Sequence, residues 1–97
     1  MNDYRLTNQA VEDLKQIGRY TQDNWGREQK NKYLEKPDEG FKTIAREPQM
    51  GVACDDIRAG YRKFHVGRHF IFYLITDVYI KIIRILHERM NVDSHLQ

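Results

Sequence analysis

One cysteine, two prolines and one tryptophan in 97 residues set the first limits on this chain. A single thiol, Cys54, excludes an internal disulfide and fits a reducing compartment. It has no partner cysteine for a metal and no cue for activation, so it reads as a loop filler rather than a nucleophile. No stretch approaches the roughly 20 apolar residues that cross a bilayer. The opening residues MNDYRLT carry no apolar run, so no signal peptide is expected. There is no glycine-rich phosphate loop, no serine nucleophile motif, no internal repeat and no low-complexity segment. The net charge of +2 is too small to imply nucleic acid, since a solvated surface of mixed charge gives the same total. These absences leave one small cytoplasmic domain over residues 1–97, with no membrane partner and no cofactor.

The run IRAGYRKFHVGRHFIFYLITDVYIKIIRIL, Ile57 to Leu86, dominates what is present. Its Val, Ile, Phe and Tyr content suits pleated, half-buried surface, and it divides at two very short turns, one at Gly67 and one at Asp77. Connections this short join antiparallel neighbours, which predicts a three-stranded meander. The middle segment FIFYLI is apolar on both faces and is expected at the buried centre.

Before the meander, Asp3 to Leu6 reads as a short edge strand with Tyr4 and Leu6 on one face. Thr7 and Asn8 are N-cap types. Ala10, Leu14, Ile17 and Thr21 follow helical spacing, with Glu12, Asp13, Lys15 and Gln16 largely elsewhere. The helix is expected to end near Trp25-Gly26, with Trp25 packed at the corner. A second helix from about Arg27 carries Tyr33, Leu34, Phe41 and Ile44 on one face and closes at Glu47-Pro48. Pro37 falls in that apolar stripe. A mid-helix proline costs roughly 3 kcal/mol, and Gly40 weakens the same stretch, so a kink or break around Tyr33 to Pro37 is predicted, with a shorter helix resuming at Asp38. Residues 48–60 read as a loop, and the tail after Leu86 as a strand end followed by a helical turn. The sum is α+β: an N-terminal helical hairpin packed on one face of a small antiparallel sheet, made of a short N-terminal strand plus the meander.

Basic residues gather on the meander. Arg58, Arg62, Lys63, His65, Arg68 and His69 come with no acid among them, and Arg84 and His87-Glu88-Arg89 follow. Strand alternation points Arg62 away from Lys63 and His65, so these do not all share one face. Three readings stay open: contacts to RNA phosphates with Tyr61, Phe64 and Tyr73 stacking, docking of an acidic protein segment, or a solvated face paired with Asp55, Asp56 and Glu88. His87 beside Glu88 and Arg89 suits general acid–base work, but neighbours on a strand diverge, which favours a structural tie. His65, His69 and His87 lack metal-ligand spacing.

Several stretches together carry a resemblance: YRLTNQAVEDL, YTQDNWG, REPQMG, DDIRAGYRKFHVGRHFIFY and ILHERMNVDSHL. In this order, over nearly the whole chain, they resemble the ParE branch of the RelE/ParE toxin superfamily. The resemblance implies the toxin of a bacterial type II toxin–antitoxin pair, neutralised by direct binding of a cognate antitoxin that folds along it. RelE-like members cut ribosome-bound mRNA, with basic groups on the sheet and a late Tyr or His. ParE-like members instead poison DNA gyrase. No Tyr follows Tyr79, which favours the ParE branch and implies binding without catalytic residues. On that reading Arg58, Arg62, Arg68, Arg84, His87 and Arg89 would contact target or antitoxin, with direct nucleic-acid binding left open. The alternatives are a RelE-type mRNA endonuclease, or a degenerate homologue that binds antitoxin without toxicity, in which Pro37 would be the weakening change.

Overall fold

A computed structural model describes residues 2–96. The chain runs β1 (Asp3–Leu6), α1 (Asn8–Trp25), α2 (Arg27–Arg46), a 3-10 turn (Pro48–Met50), β2 (Val52–Ala53), β3 (Tyr61–Val66), β4 (His69–Ile75), β5 (Tyr79–His87) and α3 (Val92–Leu96). The five strands form one sheet in the order β1-β5-β4-β3-β2. β3, β4 and β5 make the antiparallel meander, with the apolar β4 at its centre as its composition predicts. The first turn places Gly67 at φ 59°, a left-handed conformation that glycine adopts without steric cost.

Two features of the sheet depart from the sequence reading. β1 lies parallel to β5, pairing Asp3 with Tyr79 through Leu6 with Ile82. A parallel pair needs a long crossover, and the helical hairpin supplies part of it. The segment read as a loop also contains β2, which pairs antiparallel with β3 through Val52–Lys63 and Ala53–Arg62. Two residues are too short a run for periodicity to register.

Helix α1 begins at an N-cap, where Thr7 Oγ1 accepts from the Ala10 N–H at 3.1 Å. It ends at Gly26, whose φ of 90° and N–H bond to the Gln22 carbonyl form the expected glycine stop. Helix α2 then runs unbroken through Pro37 to Arg46. The predicted break and restart at Asp38 are absent. Pro37 does sit in the core stripe, fully buried, together with Phe41 and Ile44. Each such buried side chain contributes about 1.5–3 kcal/mol, enough to offset a lost helical hydrogen bond. Gly40 is a close-approach site: a Cβ there would meet Ile71 Cδ1 and Val66 Cγ1 at 2.8 Å. The residue read as a weakness lets α2 lie down on the sheet. Trp25 does not pack at the corner; its ring is 63% exposed, edge-on to Tyr20 at 5.8 Å.

The sheet buries apolar side chains on both faces. Ala10, Phe41 and Ile44 pack with Ile71, Tyr73, Ile80, Ile82 and Ile85 between helices and sheet. On the other face, Cys54, Phe72, Leu86 and Leu96 form a second cluster. Burial also raises the Cys54 thiol pKa, consistent with the filler role read from sequence.

Candidate functional site

The open edge of β5 explains how the site is held. β1 stops at Leu6, opposite Ile82, so the next backbone groups of β5 need other partners. Thr7 supplies two bonds: its N–H donates to the Ile82 carbonyl, and its hydroxyl to the Ile83 carbonyl at 2.8 Å. Asp13 supplies the next, its Oδ2 accepting from the Ile85 N–H at 2.9 Å. The carboxylate also takes both prongs of Arg84, Nε at 2.8 Å and Nη2 at 2.9 Å. Arg84 Nη1 donates to the His95 carbonyl at 3.2 Å. One guanidinium therefore ties α1, β5 and α3. The pairing with Asp13 raises the Arg84 pKa further above its ordinary value.

Asp13 is a correction to the sequence reading, which set it off the buried face. It is buried, with only 9% of its surface exposed. Arg84 is placed where no external phosphate or carboxylate meets its forked face. The signal that could have found this pair was weak: an acid one position short of Leu14 in an apolar stripe, with its partner 71 residues away.

Above this tie lies a groove of about 630 Å³ between α1, the start of α2 and the His69 and His87 ends of β4 and β5. Ile17, Tyr20, Trp25 and Met90 give it apolar walls, while Arg68, His69 and His87 give it nitrogen donors. Tyr20 and Trp25 are each 63% exposed, and Met90 45%. Large apolar side chains clustered at a groove mouth mark an interaction surface. His69 pairs across the strands with His87, ring centroids 5.2 Å apart. Its Nδ1 lies 2.7 Å from the Tyr33 hydroxyl. Burial first, then the neighbouring His87, pushes the His69 pKa down from 6.5 to about 4, so the ring is neutral at pH 7.

The other sequence-predicted residues scatter. Arg58 is exposed on the loop before β3. Arg62 turns to the backbone, donating from Nε to the Gly51 carbonyl at 3.1 Å and from Nη2 to the Gln49 carbonyl at 3.3 Å. Arg68 is exposed at the β3–β4 turn and Arg89 just beyond β5. His87 lines the groove, and its Nδ1 accepts from the Arg89 N–H at 3.1 Å. Arg68 and His87 therefore share the groove. Arg58 lies outside its lining, and Arg62 and Arg84 are engaged by other groups of the fold. Sequence reasoning missed the apolar wall, because Tyr20, Trp25 and Met90 converge only through the fold. Among the described residues no group of three or more His, Cys, Asp or Glu is arranged to hold a metal ion. No helix is long and apolar enough to cross a membrane.

Residues 4–92 match the family model described as the ParE toxin of the type II toxin-antitoxin system, parDE. Toxin ParE1 of Mycobacterium tuberculosis is 40% identical over 94 residues, 96% of each chain. Toxin ParE1 of Caulobacter vibrioides is 40% identical over 96 residues, 99% of each. Among solved structures, that of the chromosomal ParDE system of P. aeruginosa has a TM-score of 0.79 at 20% identity, covering 90% of this chain and 96% of that one. The Staphylococcus aureus YoeB dimer has a TM-score of 0.62 at 23% identity, covering 89% and 95%. At such identities the structural likeness speaks for the fold alone. With a family match over nearly its whole length and full-length relatives at 40% identity, this chain belongs to the ParE toxins of type II toxin–antitoxin systems.

Proposed function

We propose that this toxin acts in the cytoplasm by binding DNA gyrase, without catalytic turnover, and that its cognate antitoxin neutralises it by laying a segment in the groove between α1, α2 and β5. The observation that carries the non-catalytic reading is the fate of the basic groups. Arg84 is closed on Asp13, and Arg62 commits Nε and Nη2 to backbone carbonyls, so neither presents its forked Nε–Nη2 edge to a scissile phosphate. The sheet face away from the helices is partly filled by its own apolar cluster. Arg58, Arg68 and Arg89 are exposed, and no ion pair engages them among the described residues. They are the side chains for polar contact with the target. The groove's apolar rim suits a segment that folds as it binds. The continuity of α2 through Pro37 supports an active toxin over a degenerate homologue.

The experiment is a supercoiling and cleavage assay with purified toxin, gyrase, ATP and plasmid. Linear DNA should accumulate as supercoiling is lost, and an Arg58/Arg68/Arg89→Ala triple variant that keeps its circular dichroism should lose most of the effect. A folded wild-type chain that leaves gyrase untouched sinks the target assignment. One observation favours a second reading, mRNA cleavage: His65 Nε2 stands 3.1 Å from Glu88 Oε2, a pair able to move a proton. Inhibition of translation that His65→Gln abolishes would establish it instead.

A further inference from the structure

The floor of the groove carries two imidazoles whose Nε2 donors no other described residue uses. His69 opens β4, His87 closes β5, and their rings meet nearly at right angles, 85° between planes. Each Nδ1 is taken from within the chain. A backbone amide only donates, so the Arg89 N–H on His87 Nδ1 leaves the proton of a neutral His87 on Nε2. The Tyr33 hydroxyl already accepts from the Arg68 N–H at 3.0 Å, and its own proton has His69 Nδ1 as acceptor at 2.7 Å. With the Tyr33 hydroxyl donating in this way, the His69 proton is assigned to Nε2 as well. Neither Nε2 has a hydrogen-bond partner among the described residues. Among the described residues no buried side-chain nitrogen lacks one, so both Nε2–H groups reach solvent, and both rings line the groove.

Among the described residues the groove offers these donors no free carboxylate, only the neutral side-chain oxygens of residues such as Gln16 and Gln29. Its one lining carboxylate among the described residues is Asp13, whose oxygens are held by Arg84 and the Ile85 N–H. Glu88 nearby is paired with His65. Arg68 adds a positive charge to the lining. Two N–H donors on adjoining rings, a cation and no free acid among the described residues, framed by Trp25 and Met90, are the complement of a carboxylate flanked by bulky apolar side chains. A phosphate backbone would leave the apolar walls unpaired, and a plain apolar helix would leave the donors unpaired at a cost.

We propose that the antitoxin segment filling this groove sets one Asp or Glu carboxylate against His69 and His87 Nε2–H, with apolar residues beside it on Trp25 and Met90. This rests on the groove being the antitoxin site, and the test separates the two. Calorimetric titration of the full-length toxin with its cognate antitoxin is run for wild type, His87→Leu, His87→Gln and Trp25→Ala, each checked by circular dichroism. His87→Leu should weaken binding by about 10- to 100-fold, the range for a hydrogen bond to a charged group. His87→Gln, which keeps an N–H donor, should recover most of that loss. Single Asp→Asn and Glu→Gln changes along the antitoxin should find one position with a similar loss in wild type and little further loss on His87→Leu. If His87→Leu does not fold, this antitoxin-side scan on wild-type toxin decides: no acid with such an effect overturns the proposal.

Weakening by Trp25→Ala with His87→Leu unchanged keeps the groove as the antitoxin site and overturns the carboxylate. No effect from either substitution overturns both readings. A free chain that is dimeric in light scattering, and becomes monomeric on Trp25→Ala without change in antitoxin affinity, assigns the groove to a second copy and also overturns the proposal.

Discussion

Replacing Asp13 by Ala should be among the most damaging single changes to this fold. The carboxylate accepts three bonds, two from the Arg84 fork and one from the Ile85 N–H, all between 2.8 and 2.9 Å. The side chains are 15% exposed for Arg84 and 10% for Asp13. Removing one partner of a buried pair costs about 3–5 kcal/mol, because the other charge is left without compensation. The residual exposure of Arg84 lowers that toward about 3, and the stranded Ile85 amide adds about 1. A domain of this size has about 5–15 kcal/mol in hand, so a loss of about 4 is severe. Urea unfolding followed by far-ultraviolet circular dichroism would read it as a shift in midpoint at constant slope. Arg84→Met alone should cost about 2–3 kcal/mol, since the Ile85 N–H keeps its acceptor. The double variant should cost less than the sum of the singles, with a coupling of about 2 kcal/mol. A loss below about 1 kcal/mol for Asp13→Ala, or strict additivity in the cycle, would refute the assignment of this pair as the tie across the open edge. Activity lost on changing Arg84 should then track lost folded protein, not lost contact with a target.

Three further outcomes follow from the packing. Pro37→Ala restores a donor for the Tyr33 carbonyl, worth up to about 3 kcal/mol, against about 1 for the ring area lost, so chemical denaturation should show a gain of about 1–2; a loss would mean the proline ring itself anchors α2. Gly40→Ala gains helix propensity of about 1 kcal/mol but drives a Cβ against Ile71 and Val66, and a net loss of about 1–2 is expected, with unchanged or raised stability contradicting the close approach. The His69 pKa is depressed from 6.5 to about 4 in the folded chain, so below 6.5 the unfolded state binds the extra proton; its contribution is complete above pH 6.5 and gone by pH 4. The full shift corresponds to about 3 kcal/mol, which solvent reaching the ring through the groove reduces to about 1.5, and His69→Gln should flatten the stability–pH curve by that amount relative to wild type.

Strand periodicity and the two short turns located the meander within a residue or so, and the Thr7 cap and Gly26 stop located α1. These signals are local, set by side chains within a few positions of each other. What stayed hidden was set at long range. The parallel partner of β1, the burial of Asp13 and the inward turn of Arg62 all depend on groups far along the chain. At Pro37 the expected break and restart gave way to a continuous helix, a local propensity outweighed by tertiary burial. Counting cations named Arg68 and His87, which line the groove, together with Arg62 and Arg84, which the fold bonds internally, because composition does not say which arginines have partners. The apolar half of the groove had no linear signature at all.

The parallel pairing of β1 with β5 also orders events in time. The hydroxyl of Thr7 is bonded to a carbonyl 76 residues downstream. During synthesis these first residues therefore emerge long before the strand they pair with exists. Closing so long a loop carries a large entropic cost and slows folding relative to a helical protein of equal length. The groove is walled on one side by α1 and on the other by the last strand, so it too is assembled only at the end. No N-terminal fragment that stops short of β5 can therefore form the groove, because one of its walls is missing until that strand exists.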